Sequence, residues 1–203
     1  MIMKNKTKML KGDLYLAQGV ELKKDNLRAR KFMHNYNVLA GFDDEYRKEL
    51  IKDIFEKTGE NFKITPPFYC DYGIHITIGE NFYANFGCVF LDVNKIIIGN
   101  DVMFGPNVSL YTAGHPIDPD VRREGYEFGL PIIVEDNVWV GGNVVINPGI
   151  KIGKNSIIAS GSVVTKDIPA NVIAGGVPAR IIRNINEDDK RLWKAKKQQY
   201  HED

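Results

Sequence analysis

The 203-residue sequence contains little cysteine, no excess of either charge and no long apolar run. Its two cysteines, Cys70 and Cys88, form no CxxC pair and no cluster with histidine, which excludes a disulfide framework and argues against a metal site. Twenty-seven basic and 26 acidic residues give a net charge of +1, so a general attraction to nucleic acid or to an anionic membrane is not expected. No apolar stretch has the length of a signal peptide or a membrane span, and we therefore expect a cytoplasmic protein.

A six-residue periodicity dominates the middle of the chain. From Ile98 to Leu110 and again from Val134 to Val164, an apolar residue recurs at every sixth position, and a second small or aliphatic side chain lies four positions after most of these residues. Earlier hexads lie in a shifted frame, which implies a two-residue adjustment near residues 94–96. A period of six fits neither an amphipathic helix nor a flat alternating strand. The repeating positions are Ile98, Phe104, Leu110, Val134, Val140, Ile146, Ile152, Ile158 and Val164.

The hexads predict a solenoid of short parallel strands. Six residues cover one flat face, three faces complete one turn, and successive turns stack at the usual strand spacing of about 4.8 Å. The first residue of each hexad would point inward, and the Gly or Asn that follows would tolerate the positive φ that a corner needs. A sandwich of short strands is the alternative, but it would place turns every 8–12 residues without a fixed period of six.

Three regions differ in composition. Residues 1–60 have helical spacing, with Leu27, Phe32 and Tyr36 on one predicted helix and Tyr46 to Phe55 on a second. Residues 61–183 carry the hexads, and residues 184–203 are charged and predict a short C-terminal helix. The predicted fold class is mainly β, with a β-helix between an N-terminal helical segment and a C-terminal helix.

The hexad frame is interrupted by an extended loop at about residues 111–131 and resumes in phase after it. The segment "GHPIDPDVRREGYEFGLP" is polar and rich in proline and charge, so it cannot fill the axis of a solenoid. Loops on rigid scaffolds often carry functional groups. This loop contains His115, whose neutral imidazole suits proton removal near pH 7. Glu127, later in the loop, is a candidate to hold the tautomer of His115, although a backbone carbonyl could do the same.

The motifs of the chain resemble those of the hexapeptide-repeat O-acetyltransferases, in the maltose and galactoside acetyltransferase branch. The resemblance implies a left-handed parallel β-helix, a homotrimer with active sites between adjacent subunits, and acetyl-CoA as the donor. It further implies direct transfer of the acetyl group to a sugar hydroxyl, such as one of maltose, glucose or a galactoside. The motifs are CDYG (70–73), NFYANFG (81–87), LDV (91–93), GHPIDP (114–119), NVWVGGNVVINPG (137–149), SGSVVTKDIP (160–169) and GGVPARIIR (175–183).

The resemblance also implies roles for residues around the reaction. His115 matches the catalytic base, and Asn85 matches an asparagine that faces the reacting centre, where it would hold the acceptor or donate to the oxyanion. Gly142 matches a position whose backbone N–H stabilises that oxyanion. Ser160, Thr165 and Lys166 match positions that line the coenzyme A groove, and Arg180 and Arg183 would pair with its phosphates.

Asp71 and Asp92 match positions that contact sugar hydroxyls, because a carboxylate accepts several hydrogen bonds. The chain departs from the galactoside branch in two places where further acids are expected. Val93 follows Asp92, and the N-terminal segment has Leu16 and Ala17. One acceptor contact of the family is therefore expected to be absent, which leaves the identity of the sugar open.

Three other functions are compatible with a solenoid of this kind. An acetyltransferase for another hydroxyl or amine, such as an antibiotic, would use the same base. A non-catalytic solenoid would bind a metabolite or act as a scaffold without turnover. A carbonic anhydrase on this fold would need three imidazoles at a shared zinc ion, and only His75 and His115 lie in the hexad region. We therefore expect no metal.

Overall fold

The chain is described over residues 4–202 by a computed structural model. The helices are α1 (Asn5–Lys11), α2 (Val20–His34), α3 (Asp44–Ile54), α4 (Pro119–Arg123) and α5 (Glu187–Glu202), and a π-helical turn, Asn35–Leu39, extends α2. The strands are β1 (Tyr15–Leu16), β2 (Phe62–Ile64), β3 (Phe68–Cys70), β4 (Ile76–Ile78), β5 (Phe82–Ala84), β6 (Cys88–Leu91), β7 (Ile96–Ile98), β8 (Met103–Phe104), β9 (Ser109–Tyr111), β10 (Ala113–Gly114), β11 (Tyr126–Gly129), β12 (Ile132–Val134), β13 (Trp139–Val140), β14 (Val145–Ile146), β15 (Lys151–Ile152), β16 (Ile157–Ile158), β17 (Val163–Val164), β18 (Val172–Gly176) and β19 (Ala179–Asn184).

Three stacked sheets form the predicted parallel β-helix. A seven-stranded sheet has the order β19-β18-β16-β13-β8-β5-β2, a five-stranded sheet β17-β14-β9-β6-β3, and a four-stranded sheet β15-β12-β7-β4. The chain visits the seven-, five- and four-stranded sheets in turn, so consecutive strands belong to different faces of one prism. The mainly β fold class is confirmed, and its cause is the hexad pattern, which places one inward side chain per face.

Two edges of this prism matter for function. Corner A joins the five-stranded to the four-stranded sheet and comprises residues 71–75, 92–95, 112–131, 147–150 and 165–167. Corner B joins the seven-stranded to the five-stranded sheet and comprises residues 65–67, 85–87, 105–108, 141–144 and 159–162. The two corners lie on different edges of the same chain.

The length of a turn changes along the solenoid. In the lower turns, the paired residues Cys70, Phe90 and Leu110 are 20 positions apart. Higher up, Ile146 pairs with Val164, 18 positions later. The two extra residues of the lower turns lie at corner A, which confirms the frame adjustment expected near residues 94–96. Corner A is therefore wider at the level of residues 71–75 and 92–95 than above it.

The axis is filled by the side chains of the hexad frame. Phe68, Phe90, Phe104 and Phe82 stack edge to face in the lower turns, with ring centroids 5.1 to 5.9 Å apart. Ile and Val fill the upper turns and are almost fully buried. The edge-to-face geometry suits the charge distribution of aromatic rings, so this column stabilises the solenoid beyond area burial alone.

Left-handed backbone conformations mark the corners. Within residues 4–202, seven non-glycine residues have positive φ between 56° and 61°, and all are Asn or Asp. Their side chains form ladders, such as Asn61 to Asn81 at 2.6 Å and Asn81 to Asp101 at 2.8 Å. Short amide and carboxylate side chains tolerate this conformation better than other residues. The expectation of Asn or Gly at the corners is thus confirmed.

The N-terminal helices cover the open lower end of the prism. Phe32 and Tyr36 pack on Phe68, and Ile51 and Ile54 join the same buried cluster. Leu27, expected on this face, is instead 54% exposed. In the C-terminal α5 no residue is buried within the chain. Among residues 4–202, no helix combines the length and the apolar character needed to cross a membrane.

Candidate active site

A pocket of about 380 Å³ lies beside corner A. Three parts of the chain enclose it: residues 17–26, which include the start of α2, the lower turns of corner A, and the extended loop between β9 and β12. His115 and Glu127 come from the loop, and Asp71 comes from the turn after β3. The other lining residues are Ala17, Leu22, Lys23, Asn26, Tyr72, Val93 and Ala113.

The loop that carries His115 is ordered by a small antiparallel sheet. Its strands β10 and β11 pair with each other, and β1 of the N-terminal segment pairs with β11. Close packing inside this sheet needs Gly114, because a Cβ atom there would lie 2.4 Å from Cζ of Phe128. The N-terminal segment therefore helps to fix the position of the histidine.

The tautomer of His115 follows from its hydrogen bond. Nδ1 of His115 lies 3.1 Å from the carbonyl oxygen of Tyr126. A carbonyl oxygen can only accept, so Nδ1 carries the proton and the lone pair of the neutral ring is on Nε2. The prediction that Glu127 orients His115 is wrong, and the other possibility, a backbone carbonyl, is what the structure has.

Glu127 has a different partner. The hydroxyl group of Tyr15 donates to Oε2 of Glu127 at 2.6 Å, and Tyr15 is itself buried. Burial and the carboxylate of Glu127 raise the pKa of Tyr15, so the phenol stays protonated and remains a donor. Tyr15 was not singled out in the sequence, because 112 positions separate it from Glu127 and no local motif joins them.

Asp71 and Asp92 behave differently although both were predicted to contact the acceptor. Asp92 is 0% exposed, and its carboxylate accepts from the backbone N–H groups of Asp71, Tyr72 and His75. The prediction that Asp92 contacts a sugar is therefore wrong. Its buried carboxylate instead stabilises the widened turn through hydrogen bonds to the backbone. Burial raises the pKa of Asp92 to about 7 against the opposing effect of these N–H donors.

The side chain of Asp71 reaches the pocket. Its carboxylate makes no hydrogen bond and no ion pair with any residue between 4 and 202, whereas its backbone is held by Asp92 and Asn26. Burial, with a further contribution from the charge of Glu127, raises the pKa of Asp71 to about 6. The pocket therefore contains two carboxylates, and the charge of Glu127 acts on Asp71.

Asn85, Gly142 and Ser160 lie at corner B and do not line this pocket. Oδ1 of Asn85 accepts from the backbone N–H of Phe86 at 2.8 Å, so its Nδ2 group is left to donate outward. Among the described residues, the backbone N–H of Gly142 has no acceptor. Ser160 is exposed three turns above Asn85 and one turn above Gly142, on the same edge.

The residues predicted to bind coenzyme A are spread over the upper turns. Thr165 and Lys166 are exposed at corner A, above the loop. Arg180 lies on β19, where Nη1 donates to the carbonyl of Ala179 at 2.8 Å. Arg183 forms a two-pronged ion pair with Asp189 of α5 at 2.6 and 2.8 Å.

The guanidinium of Arg183 lowers the pKa of Asp189 to about 2, so this carboxylate stays charged. The ion pair is exposed, and Arg183 would exchange it for a phosphate of coenzyme A. Its binding to phosphate stays a prediction.

Comparison with protein families matches two regions of the chain. Residues 8–59 match the maltose acetyltransferase hexapeptide capping motif, and residues 131–166 match the bacterial transferase hexapeptide of six repeats. The galactoside O-acetyltransferase of Escherichia coli K12 is 44% identical over 182 residues, which cover 90% of each chain.

Solved structures agree with this assignment. A maltose O-acetyltransferase from Clostridium difficile 630 has a TM-score of 0.89 and 46% identity, covering 91% of this chain and 98% of the other. A galactoside acetyltransferase in complex with coenzyme A has a TM-score of 0.89 and 42% identity, covering 93% and 94%. The chain belongs to the hexapeptide-repeat acetyltransferases, in the maltose and galactoside acetyltransferase branch. This membership confirms the predicted class of enzyme, an O-acetyltransferase that uses acetyl-CoA.

Proposed function

We propose that the protein transfers the acetyl group of acetyl-CoA to a hydroxyl group of a sugar, with His115 as the general base. The observation that carries this proposal is the hydrogen bond from Nδ1–H of His115 to the Tyr126 carbonyl, which leaves the lone pair of Nε2 free beside the pocket. The maltose and galactoside acetyltransferases similar to this chain make a sugar the expected acceptor.

Each bond change has a group to support it. Nε2 of His115 takes the hydroxyl proton while the sugar oxygen attacks the thioester carbon. The C–O bond forms, the C–S bond breaks, and the proton passes from Nε2 to the leaving thiolate to give coenzyme A. The imidazolium formed in between keeps its hydrogen bond to the carbonyl of Tyr126, which stabilises that charge.

A complete site is formed between two copies of the chain in this proposal. The base and Asp71 lie at corner A, whereas Asn85 and Gly142 lie at corner B, and one prism cannot bring its own two edges together. A cyclic trimer would set corner A of one copy beside corner B of the next, three times over. Geometry and resemblance thus support the same assembly.

Corner B would supply donors for the oxyanion and the acceptor. The N–H of Gly142 has no acceptor among the described residues and would donate to the oxyanion, while the Nδ2 group of Asn85, two turns below on the same edge, would hold the acceptor. Donors held in place before the reaction stabilise the developing negative charge. Ser160, Thr165 and Lys166 would line the coenzyme A groove above them, with Arg180 near its phosphates.

Thiol release from acetyl-CoA tests the proposal, with maltose, glucose and a galactoside as acceptors. The His115→Ala variant should lower kcat by about two to four orders of magnitude, as expected for loss of a general base. The matched control is His201→Ala, since His201 is an exposed histidine of α5 and should not affect kcat. Release of no thiol with any hydroxyl acceptor, or an unchanged kcat in His115→Ala, would contradict the proposal.

A further inference from the structure

Two carboxylates line the same pocket as His115. Asp71 faces it from the turn after β3, and Glu127 faces it from β11, one position after the residue whose carbonyl holds the histidine. Neither carboxylate has an ion-pair partner within residues 4–202. Lys23 also lines the pocket from α2, but it forms no ion pair with Asp71 or Glu127.

Two carboxylates face a single basic side chain, Lys23, in the lining of this pocket, and Lys23 is paired with neither of them. Like charges in a partly buried site disfavour each other's ionisation. The raised pKa of Asp71 has this cause in part, since the charge of Glu127 adds to the effect of burial. A bound cation would relieve this repulsion.

Two positions of the pocket differ from the family resemblance. Ala17 and Val93 are apolar where acids were expected, while Lys23, Asn26 and Tyr72 supply polar groups beside the two carboxylates. The acids that line the pocket are Asp71, which matches a family position, and Glu127. Tyr15 holds Glu127 by a hydrogen bond from a buried hydroxyl, so the second carboxylate is kept in place.

We propose that the acceptor is an amino sugar whose free ammonium group binds between Asp71 and Glu127 while one of its hydroxyl groups faces Nε2 of His115. This inference rests on the proposed function and adds the class of sugar. An ammonium group has three donors and forms charge-assisted hydrogen bonds with carboxylates, which are stronger than those of a neutral hydroxyl.

The proposal also determines which atom of the sugar is acetylated. A protonated amine has no lone pair and cannot attack the thioester, and the two carboxylates favour the protonated form. The sugar oxygen therefore attacks, its proton goes to Nε2 of His115, the C–S bond breaks, and the thiolate leaves with that proton as coenzyme A. The product is an O-acetyl amino sugar that keeps its ammonium group.

The test compares glucosamine, glucose and N-acetylglucosamine as acceptors in the thiol-release assay. The three differ only in the group at one carbon: an ammonium, a hydroxyl or a neutral amide. Glucosamine should have a kcat/KM about tenfold to a hundredfold above those of the other two, the range expected for hydrogen bonds to charged groups. Mass and fragment analysis of the product should find the acetyl group on oxygen.

Variants connect this preference to the two carboxylates. Glu127→Gln and Asp71→Asn keep the size of each side chain and remove its charge, so the ratio of kcat/KM for glucosamine to that for glucose should fall towards one. The control is Glu124→Gln, which removes an exposed carboxylate of the same loop and should leave the ratio unchanged. The ratio in the wild-type enzyme tests the proposal even where a variant does not fold.

The outcomes separate the two proposals. Equal kcat/KM for glucose and glucosamine, or acetylation on nitrogen, would overturn the amino-sugar inference. The proposed function would still hold in that case if neutral sugars are acetylated. A preference for glucosamine that persists in both charge-removing variants would also overturn it. Absence of thiol release with every acceptor would overturn the proposed function itself.

Discussion

Nδ1 of His115 and the carbonyl oxygen of Tyr126 lie 3.1 Å apart across the hairpin formed by β10 and β11. The hydrogen bond depends on the backbone of this hairpin, so the position of the proposed base is set by main-chain geometry. A change that spreads the two strands should therefore affect catalysis without touching the imidazole itself.

The first prediction concerns Gly114, where a Cβ atom would lie 2.4 Å from the ring of Phe128. Gly114→Ala should separate β10 from β11, displace His115 and lower kcat by up to about a hundredfold, the usual effect of misplacing a catalytic group by about 1 Å. Steady-state kinetics measure the change, and circular dichroism checks that the solenoid is intact.

A second substitution provides the control for this prediction. Phe128→Leu removes part of the ring that the new methyl group would meet, so it should restore some of the kcat lost in Gly114→Ala. Phe128→Leu alone gives the baseline. Wild-type kcat in the Gly114→Ala variant would show that the hairpin does not set the position of His115.

The second prediction concerns stability at the junction of the N-terminal segment, the loop and the solenoid. The buried amide of Asn94 donates to the carbonyl of Gly129 at 2.8 Å and to that of Met9 at 3.3 Å. Asn94→Ala would leave these buried acceptors without their donor and should lower the free energy of unfolding by about 1–3 kcal/mol. Urea denaturation measures it.

The matched control is Asn184→Ala. Asn184 is exposed on β19, and its side-chain amide makes no hydrogen bond within residues 4–202. Its replacement should change the free energy of unfolding by less than about 0.5 kcal/mol. Equal losses in the two variants would contradict the role given to Asn94.

The third prediction concerns pH. The pKa of Asp71 in the free enzyme is about 6, so this carboxyl is charged at pH 7 and becomes neutral as the pH falls through 6. Loss of its negative charge weakens the binding of a cation, and the KM for glucosamine should therefore rise as the pH is lowered from 7 to 5. The ionisable groups close to Asp71 are Glu127 on β11, Tyr15 on β1, Cys70 on β3, Tyr72 and Asp92 at corner A, Lys23 on α2 and His115 of the loop.

N-acetylglucosamine is the uncharged control for this effect. Protonation of Asp71 raises KM only for a cationic acceptor, whereas a change in the catalytic step itself would alter kcat for both sugars. The KM for N-acetylglucosamine should stay flat over the same range. In Asp71→Asn, the KM for glucosamine should lose its pH dependence, and parallel profiles for both sugars in the wild type would contradict the assignment.

The solenoid was predictable because each hexad acts locally. An inward residue such as Val140 and a corner residue such as Asn143 repeat their roles every turn, so the period alone defines faces, corners and the extra residues of the lower turns. The interruption by a loop was predictable for the same reason, since a polar segment cannot fill the axis.

The contacts within the site were less predictable, because they join distant parts of the chain. Nothing local in the sequence indicates that Tyr15 donates a hydrogen bond to Glu127. The tautomer of His115 is instead fixed by the backbone carbonyl of Tyr126. Asp92 comes directly after a strand, which is where a sugar-binding acid was expected. In the longer turn of the lower solenoid, however, its carboxylate points inward and accepts hydrogen bonds from backbone N–H groups. A motif match therefore predicts where a residue lies in the fold, but not the direction in which its side chain points.

The last prediction concerns the proposed assembly and uses two inactive variants. His115→Ala loses the base at corner A, and Asn85→Ala loses a donor at corner B. In a trimer with sites between copies, a mixed assembly contains sites where His115 comes from one variant and Asn85 from the other. Random mixing at equal amounts should restore about a quarter of the wild-type sites, because each site draws its two corners independently.

Thiol release from acetyl-CoA before and after co-expression or joint refolding measures this recovery. Each variant refolded alone is the control and should stay inactive, and chromatography with light scattering should find three chains per particle. If both corners of one site came from the same chain, no mixture could contain an intact site and activity would not return. Recovery therefore distinguishes a site shared by two copies from a site within one, independently of which sugar is the acceptor.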